Sequence, residues 1–284
     1  LEDDRVVAVS GSVRPCNGAE IRDGAVVNYR MPRKLLPCMQ VLEYDRSFLA
    51  ARILFDQFNG SIIISGAFGL FKKSAVIDAG GYDATTVGED MELVMRLHVF
   101  CREHSIPYRV RYATDAICWT QAPEKLGDLC KQRRRWHIGL YQSMTRHRNI
   151  LFDLKYGMVG FISCLYFLLY ELFSPYIEVF GVLVTALSWA VDFLNVPFML
   201  LYMGVYVLYS SILSLTAFFA RIHTVDLKLS LGDVCKAIGL CVVEVSCLRF
   251  ILAWVRVTAL GRGRGKKAVW GQIERKRINF DQGS

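Results

Sequence analysis

Pro197-Phe-Met-Leu-Leu-Tyr-Met-Gly-Val-Tyr-Val-Leu-Tyr-Ser-Ser-Ile-Leu-Ser-Leu-Thr-Ala-Phe-Phe-Ala220 runs for 24 positions without one charged residue. About 20 apolar residues in a helix cross the hydrocarbon core of a bilayer, so this stretch reads as a membrane span. On its C-terminal side, residues 235–257 form a second run of spanning length. On its N-terminal side lie two apolar segments, 158–173 and 176–191, that meet at Ser174-Pro175. Each is about 16 residues, short for a crossing. Four membrane segments are expected, with two crossings as the alternative. An even number follows if the regions before and after them share one side of the membrane.

The rest of the chain has a different character. Hydrophobic residues make up 53% and mean hydropathy is +0.30, yet 21% of the residues are charged. These values coexist because polar and apolar residues are segregated. Residues 1–155 hold 22 Lys/Arg and 18 Asp/Glu, an ordinary water-facing mixture. The organisation expected is therefore 1–155 as a polar domain, 156–260 as membrane helices and 261–284 as a basic tail. Seven of the basic residues behind the net charge of +8 fall between Arg262 and Arg277. Basic residues beside a span mark its cytoplasmic side. Nucleic acid is not expected as a partner, because no aromatic-rich basic groove or binding motif accompanies the charge. The nine cysteines show no CxxC pair and no zinc spacing, which fits free thiols in a reducing compartment.

Within residues 1–155, strands and helices alternate, the pattern of an α/β domain. Arg5 to Val9 reads as a strand that needs neighbours, so the chain is expected to open inside a domain. Residues 35–58 read as a helix. Ile62-Ile-Ile64 leads into the glycine-rich Ser65-Gly-Ala-Phe-Gly-Leu-Phe71, a strand and turn. Gly80-Gly81 breaks a short helix, and Gly88-Glu89-Asp90 opens another with Leu93, Val94, Leu97 and Cys101 on one face. Tyr108–Arg111 and Ala116–Trp119 read as two strands. A helix with Pro123 in its first turn runs through the basic cluster to about Arg148.

Three places could carry chemistry. Glu89 and Asp90 at a helix start have a plain explanation as capping carboxylates. A carboxylate there could also project into a cleft as a general base, although taken alone the pair reads first as a cap. In Gln132-Arg-Arg-Arg-Trp136, helical spacing puts Gln132, Arg135 and Trp136 on one face. An amide, a guanidinium and an aromatic plane there suit phosphate oxygens and a sugar ring. The competing reading is an interfacial helix whose arginines, Arg133 and Arg134 above all, face lipid headgroups. Ser65, Gly66 and Ala67 are small enough for a ligand to approach the backbone. Trp119-Thr120-Gln-Ala-Pro123 reads as a strand exit.

In this order, and with membrane segments following, these stretches resemble the processive branch of family 2 glycosyltransferases. That branch includes cellulose, hyaluronan and poly-N-acetylglucosamine synthases. The matching stretches are Ser65–Gly69, Gly88–Asp90, Trp119–Pro123 and Gln132–Trp136, and Gln40-Val-Leu-Glu-Tyr44 resembles a helix just upstream. The likeness runs from about residue 5 to residue 276. It implies an α/β domain with part of a glycosyltransferase-A fold, followed by a helical membrane bundle. It also implies Asp90 as catalytic base with Glu89 beside it, and Arg135 facing the donor pyrophosphate. Trp136 lines the acceptor site, Gln132 bonds substrate, and Ser65, Gly66, Ala67 and Thr120 complete the substrate contacts. The reaction implied is an inverting transfer from a nucleotide-sugar, a UDP-sugar by expectation, to a growing glycan or lipid-linked acceptor. A divalent cation, Mg²⁺ or Mn²⁺, is implied, but the D-x-D motif that holds it in the family is absent and no metal ligand is assigned in this chain. The donor-binding half is expected to be missing, so a longer product or a partner chain would supply it. The protein is expected in the plasma or inner membrane as a multi-pass protein in contact with lipid. Its α/β region and tail are expected to be cytoplasmic.

Other readings stay open. A non-catalytic membrane scaffold derived from such an enzyme would explain the missing half. A transport protein would explain the helices but leave residues 1–155 idle. Glu171, Glu178, Asp192 and Glu244 in or beside the apolar runs could line a polar route across the bilayer. Alternatively they are interfacial or pair with Arg249 and Arg256.

Overall fold

The computed structural model describes residues 3–23, 25–225 and 229–262. The basic tail expected over 261–284 lies almost wholly outside the described residues.

The strand expected at Arg5–Val9 is β1 (Val6–Pro15), the centre of a three-stranded sheet. A hairpin of β2 (Ala19–Arg22) and β3 (Ala25–Tyr29) follows. The helix expected over 35–58 is α1 (Leu35–Arg46) continued through a π-helical turn at Ser47–Ala51 into α2 (Arg52–Gln57). Next come β4 (Gly69–Phe71), α3 (Lys73–Asp78) and α4 (Glu89–Glu103). The two strands expected after α4 are one, β5 (Arg109–Thr120). β1 pairs antiparallel with β4 and parallel with β5. Gly11 of β1 lies opposite Ala113, but Ser12 lies opposite Ile117, so the residues between bulge out of the ladder. That bulge is where the alternating pattern breaks in the sequence. Gly11 is required there, since a Cβ would lie 2.7 Å from the Ala116 carbonyl oxygen.

α4 is the hub of the domain. Leu93, Val94, Leu97 and Cys101 are buried as expected, and so are Met91, Met95 and His98. Val94 and Cys101 pack with Val7, Ala8 and Val110 of the sheet. Met91 and Met95 pack with Ile62, Met144, Ile150 and Val159 on the other side. His98 has Tyr108 Oη at 2.6 Å from Nδ1 and the Ser61 carbonyl oxygen at 2.9 Å from Nε2. The carbonyl can only accept, so the proton sits on Nε2 and Tyr108 donates to Nδ1. Burial pulls the His98 pKa from 6.5 to about 4. The neutral ring is the folded form, so its stabilisation is complete above pH 6.5 and is lost as pH falls towards 4. Between pH 7.5 and pH 5 this one residue is expected to cost about 2 kcal/mol of stability. Thermal melts at the two pH values test it: the pH-dependent drop should shrink in His98→Gln.

The helix expected from Pro123 is α5 (Leu126–Arg146). Pro123 stays outside it, its carbonyl oxygen accepting the Gln40 side-chain amide at 2.8 Å. Three long apolar helices follow where four segments were expected: α6 (Val159–Ala190), α7 (Val196–Val225) and α8 (Leu231–Gly261). Segments 158–173 and 176–191 are a single helix. A proline inside a helix clashes with the preceding turn. Here Pro175 follows a widened π-helical turn at Phe167–Phe173 that makes room for the ring. By length and composition all three helices could cross a membrane, and α8 is the most buried of them. α8 is the one most integrated with the rest of the protein.

Ion pairs fasten this bundle to α1. Both guanidinium Nη atoms of Arg46 lie 3.1 Å from the Glu244 carboxylate, and Arg221 of α7 reaches Asp45. Glu178 takes Arg249 at 2.6 Å, as the pairing reading expected. Glu244 is paired too, but with Arg46 rather than with Arg249 or Arg256.

Candidate active site

The acidic trio and the small-residue loop, 24 residues apart in sequence, meet directly. Asp90 stands in the first turn of α4, where its Oδ1 accepts from the Met91 N–H at 2.8 Å. Its Oδ2 accepts from the Gly66 N–H at 3.0 Å. Each carboxylate oxygen has two lone pairs, so each keeps one for a ligand. Glu89 is half-buried beside it. Ser65 and Ala67 complete the loop, with the Ala67 N–H 3.4 Å from Ser65 Oγ and the Ala67 carbonyl oxygen facing Cys118 Sγ at 3.7 Å.

α5 docks against this corner through a contact that only glycines permit. A Cβ on Gly139 would stand 2.7 Å from the Gly88 Cα, and a Cβ on Gly88 would stand 2.8 Å from the Gly139 Cα. Beside it, Gln142 Oε1 accepts from Thr86 Oγ1 and from the Val87 N–H, both at 3.0 Å. Positions 132, 135, 139 and 142 recur at helical spacing, so Gln132 and Arg135 continue the stripe that Gly139 and Gln142 press onto the loop before Asp90. Trp136 lies on the edge of the same stripe and is 42% exposed. Gln132 Oε1 is buried with no partner among the described residues. An unsatisfied acceptor at such a place suits a substrate hydroxyl or amide. We expect Gly139→Ala to push α5 away by about 1 Å and to lower any activity of this centre by up to about 100-fold. An unchanged rate in the folded variant would show that the contact does not position the site.

Arg133 departs from expectation. It is 4% exposed, donates from Nη2 to Glu43 at 2.8 Å, and lies 4.4 Å from the Trp136 ring centroid. It therefore braces Trp136 from behind and does not face lipid headgroups. Thr120 ends β5 opposite Pro15, and its carbonyl oxygen accepts the Cys16 N–H at 2.8 Å. Its role seen here is to close the sheet.

Tyr82 was not anticipated. Gly80 and Gly81, both with positive φ, turn the chain so that Tyr82 lies near the two carboxylates. Partial burial raises the pKa of its phenol above the ordinary value, and the charges of Asp90 and Glu89 add to the effect. The glycine pair was the available signal. Among the described residues no group of three His, Cys, Asp or Glu side chains is placed to hold a metal ion. The described residues do not fit the expected divalent cation by themselves.

Residues 26–226 match the family model described as glycosyl transferase family group 2. Poly-beta-1,6-N-acetyl-D-glucosamine synthase of Staphylococcus aureus (strain COL) is 43% identical over 83 residues, 29% of this chain and 19% of that protein. The synthase of the same name from Staphylococcus epidermidis is 41% identical over 83 residues, with the same coverage of each chain. The matched stretch thus spans about a fifth of the length of these relatives. The family match extends over more than half of the chain, from the hairpin to the end of α7, and the chain belongs to glycosyl transferase family group 2.

Proposed function

We propose that the chain forms the acceptor-side centre of an inverting glycosyltransferase that extends a glycan from a nucleotide-sugar. The observation that carries this is the junction of three motif segments around one carboxylate: Asp90 bonded to Gly66, and α5 locked onto Gly88 by Gly139. In the proposed step the acceptor hydroxyl oxygen attacks the anomeric carbon. The bond from that carbon to the pyrophosphate oxygen breaks with inversion, and the hydroxyl proton passes to Asp90. Arg135 offers charge to the departing diphosphate, Trp136 supplies a flat face for the acceptor sugar, and Gln132 accepts a substrate hydrogen bond. Glu89 places a second carboxylate beside Asp90. The names of the staphylococcal relatives support N-acetylglucosamine as the sugar transferred. A divalent cation would be held with the donor phosphates by residues beyond those described here. The α/β region faces the cytoplasm in this proposal, where nucleotide-sugars are found, and the apolar helices sit in the cell membrane.

The test is release of nucleoside diphosphate by membranes carrying the chain, supplied in turn with UDP- and GDP-sugars and Mg²⁺ or Mn²⁺. Release with one donor, greatest for the N-acetylglucosamine nucleotide, is the expected result when a donor-binding half is present with the chain. No release from any donor by folded protein would mean that the chain does not transfer sugar by itself.

A further inference from the structure

At the far end of α4 from Asp90, about 20 Å along the helix, a second concavity opens. β1 and β5 both start there, and the Arg109 N–H donates to the Arg5 carbonyl oxygen at 2.7 Å. The cavity, of about 410 Å³, is lined by Arg5, Arg102, Arg109 and Lys155 together with Ser105 and Tyr108. Arg5 is held by Asp3 at 2.8 Å. Arg102 lies over the Tyr108 ring at 5.9 Å and the Asp3 carboxylate also attracts Arg109, but among the described residues no ion pair to a carboxylate forms at Arg102, Arg109 or Lys155. Cations gathered in one concavity repel each other, and an anion between them removes that cost.

The place of the cavity says which anion. Lys155 lies four residues before the start of the first apolar helix, α6. The turn that feeds α6 is built on Gly157, whose φ of 56° belongs to the left-handed region, and a Cβ there would lie 3.9 Å from Arg102 Nη2. The segment around it exposes Leu154 (84%), Phe152 (58%) and Met158 (48%). A site for a soluble anion has no use for three exposed apolar side chains beside it, whereas a surface touching the membrane interface does. From these observations we propose that this cleft binds the phosphate of an anionic phospholipid headgroup, while Phe152, Leu154 and Met158 rest against the acyl boundary. The ligand phosphodiester sits among Arg102, Arg109 and Lys155, and Ser105 can add a hydroxyl hydrogen bond. This site is separate from the centre at Asp90 and does not depend on sugar transfer.

The experiment uses the full chain purified in neutral detergent. Binding of phosphatidylglycerol, phosphatidylcholine and inorganic phosphate is read by native mass spectrometry and by the shift in Tm. A cleft variant, Arg102→Gln with Arg109→Gln and Lys155→Gln, is compared with a control that loses the same charge elsewhere, Arg22→Gln with Arg30→Gln and Lys73→Gln. Each basic group near an anionic surface strengthens binding by roughly fivefold. The cleft variant should therefore bind phosphatidylglycerol at least about tenfold more weakly than wild type, with the control little changed and phosphatidylcholine inert throughout. Equal binding by the cleft and control variants would overturn the proposal. So would inorganic phosphate reproducing the full Tm shift, because the occupant would then be a soluble anion. Should the triple variant fail to fold, Lys155→Gln alone, fully on the surface, must still weaken phosphatidylglycerol binding severalfold.

Discussion

Asp45→Asn is expected to destabilise the protein by about 3–5 kcal/mol, whereas Arg221→Met costs far less. Arg14, Asp45 and Arg221 are each 1% exposed. Asp45 takes Arg14 Nη2 at 3.2 Å and Arg221 Nε at 3.6 Å, while Arg221 Nη2 donates to Ser12 Oγ at 2.9 Å. Ser12 hands its own proton to Tyr112 Oη at 2.6 Å, and Tyr112 donates to the Phe48 carbonyl oxygen at 2.9 Å. Arg14 also lies 5.4 Å from the Tyr29 ring centroid and 5.5 Å from that of Trp119. This cluster plugs the end of a membrane helix into the α/β domain, and it holds two cations for one carboxylate. Removing Asp45 strands two buried guanidinium groups. Removing Arg221 leaves a neutral pair, and methionine fills the same space without a charge to desolvate. Thermal unfolding in detergent distinguishes the two variants. Equal losses would mean that the carboxylate does not organise the cluster.

The parts of the site that share a local spacing were legible in the sequence. Gln132, Arg135 and Trp136 announce a common helical face, and a small-residue loop and an acidic helix start are recognisable as they stand. Their junction was not legible, because nothing local says that the Gly66 N–H reaches Asp90. One signal was overlooked. Gly139 sits inside a helix, where glycine costs about 1 kcal/mol relative to alanine, and it falls seven residues after Gln132 on the same stripe. A costly glycine on a functional face points to close helix packing, and it packs on Gly88.

Long-range charge pairing hid the rest. Arg133 reads as solvated or lipid-facing until Glu43, 90 residues away, is placed beside it. Arg14, Asp45 and Arg221 come from three separate elements, and no periodicity links them. Pro175 reads as a helix end, since the sequence does not reveal the π-helical turn that lets the helix pass. The number of long apolar helices followed from that one turn.

The most direct measurement is nucleoside diphosphate release by membranes carrying wild type and Asp90→Asn, at equal amounts of folded protein. Asparagine keeps the shape and can still accept from the Gly66 N–H, giving up the bond from the neighbouring Met91 N–H, but it cannot take a proton from the acceptor hydroxyl. A positioned general base contributes roughly 10²–10⁴-fold, so release should fall by about that factor while Tm stays close to wild type. Release that persists at the wild-type rate in Asp90→Asn would contradict the assignment of Asp90 as the base and the centre built around it.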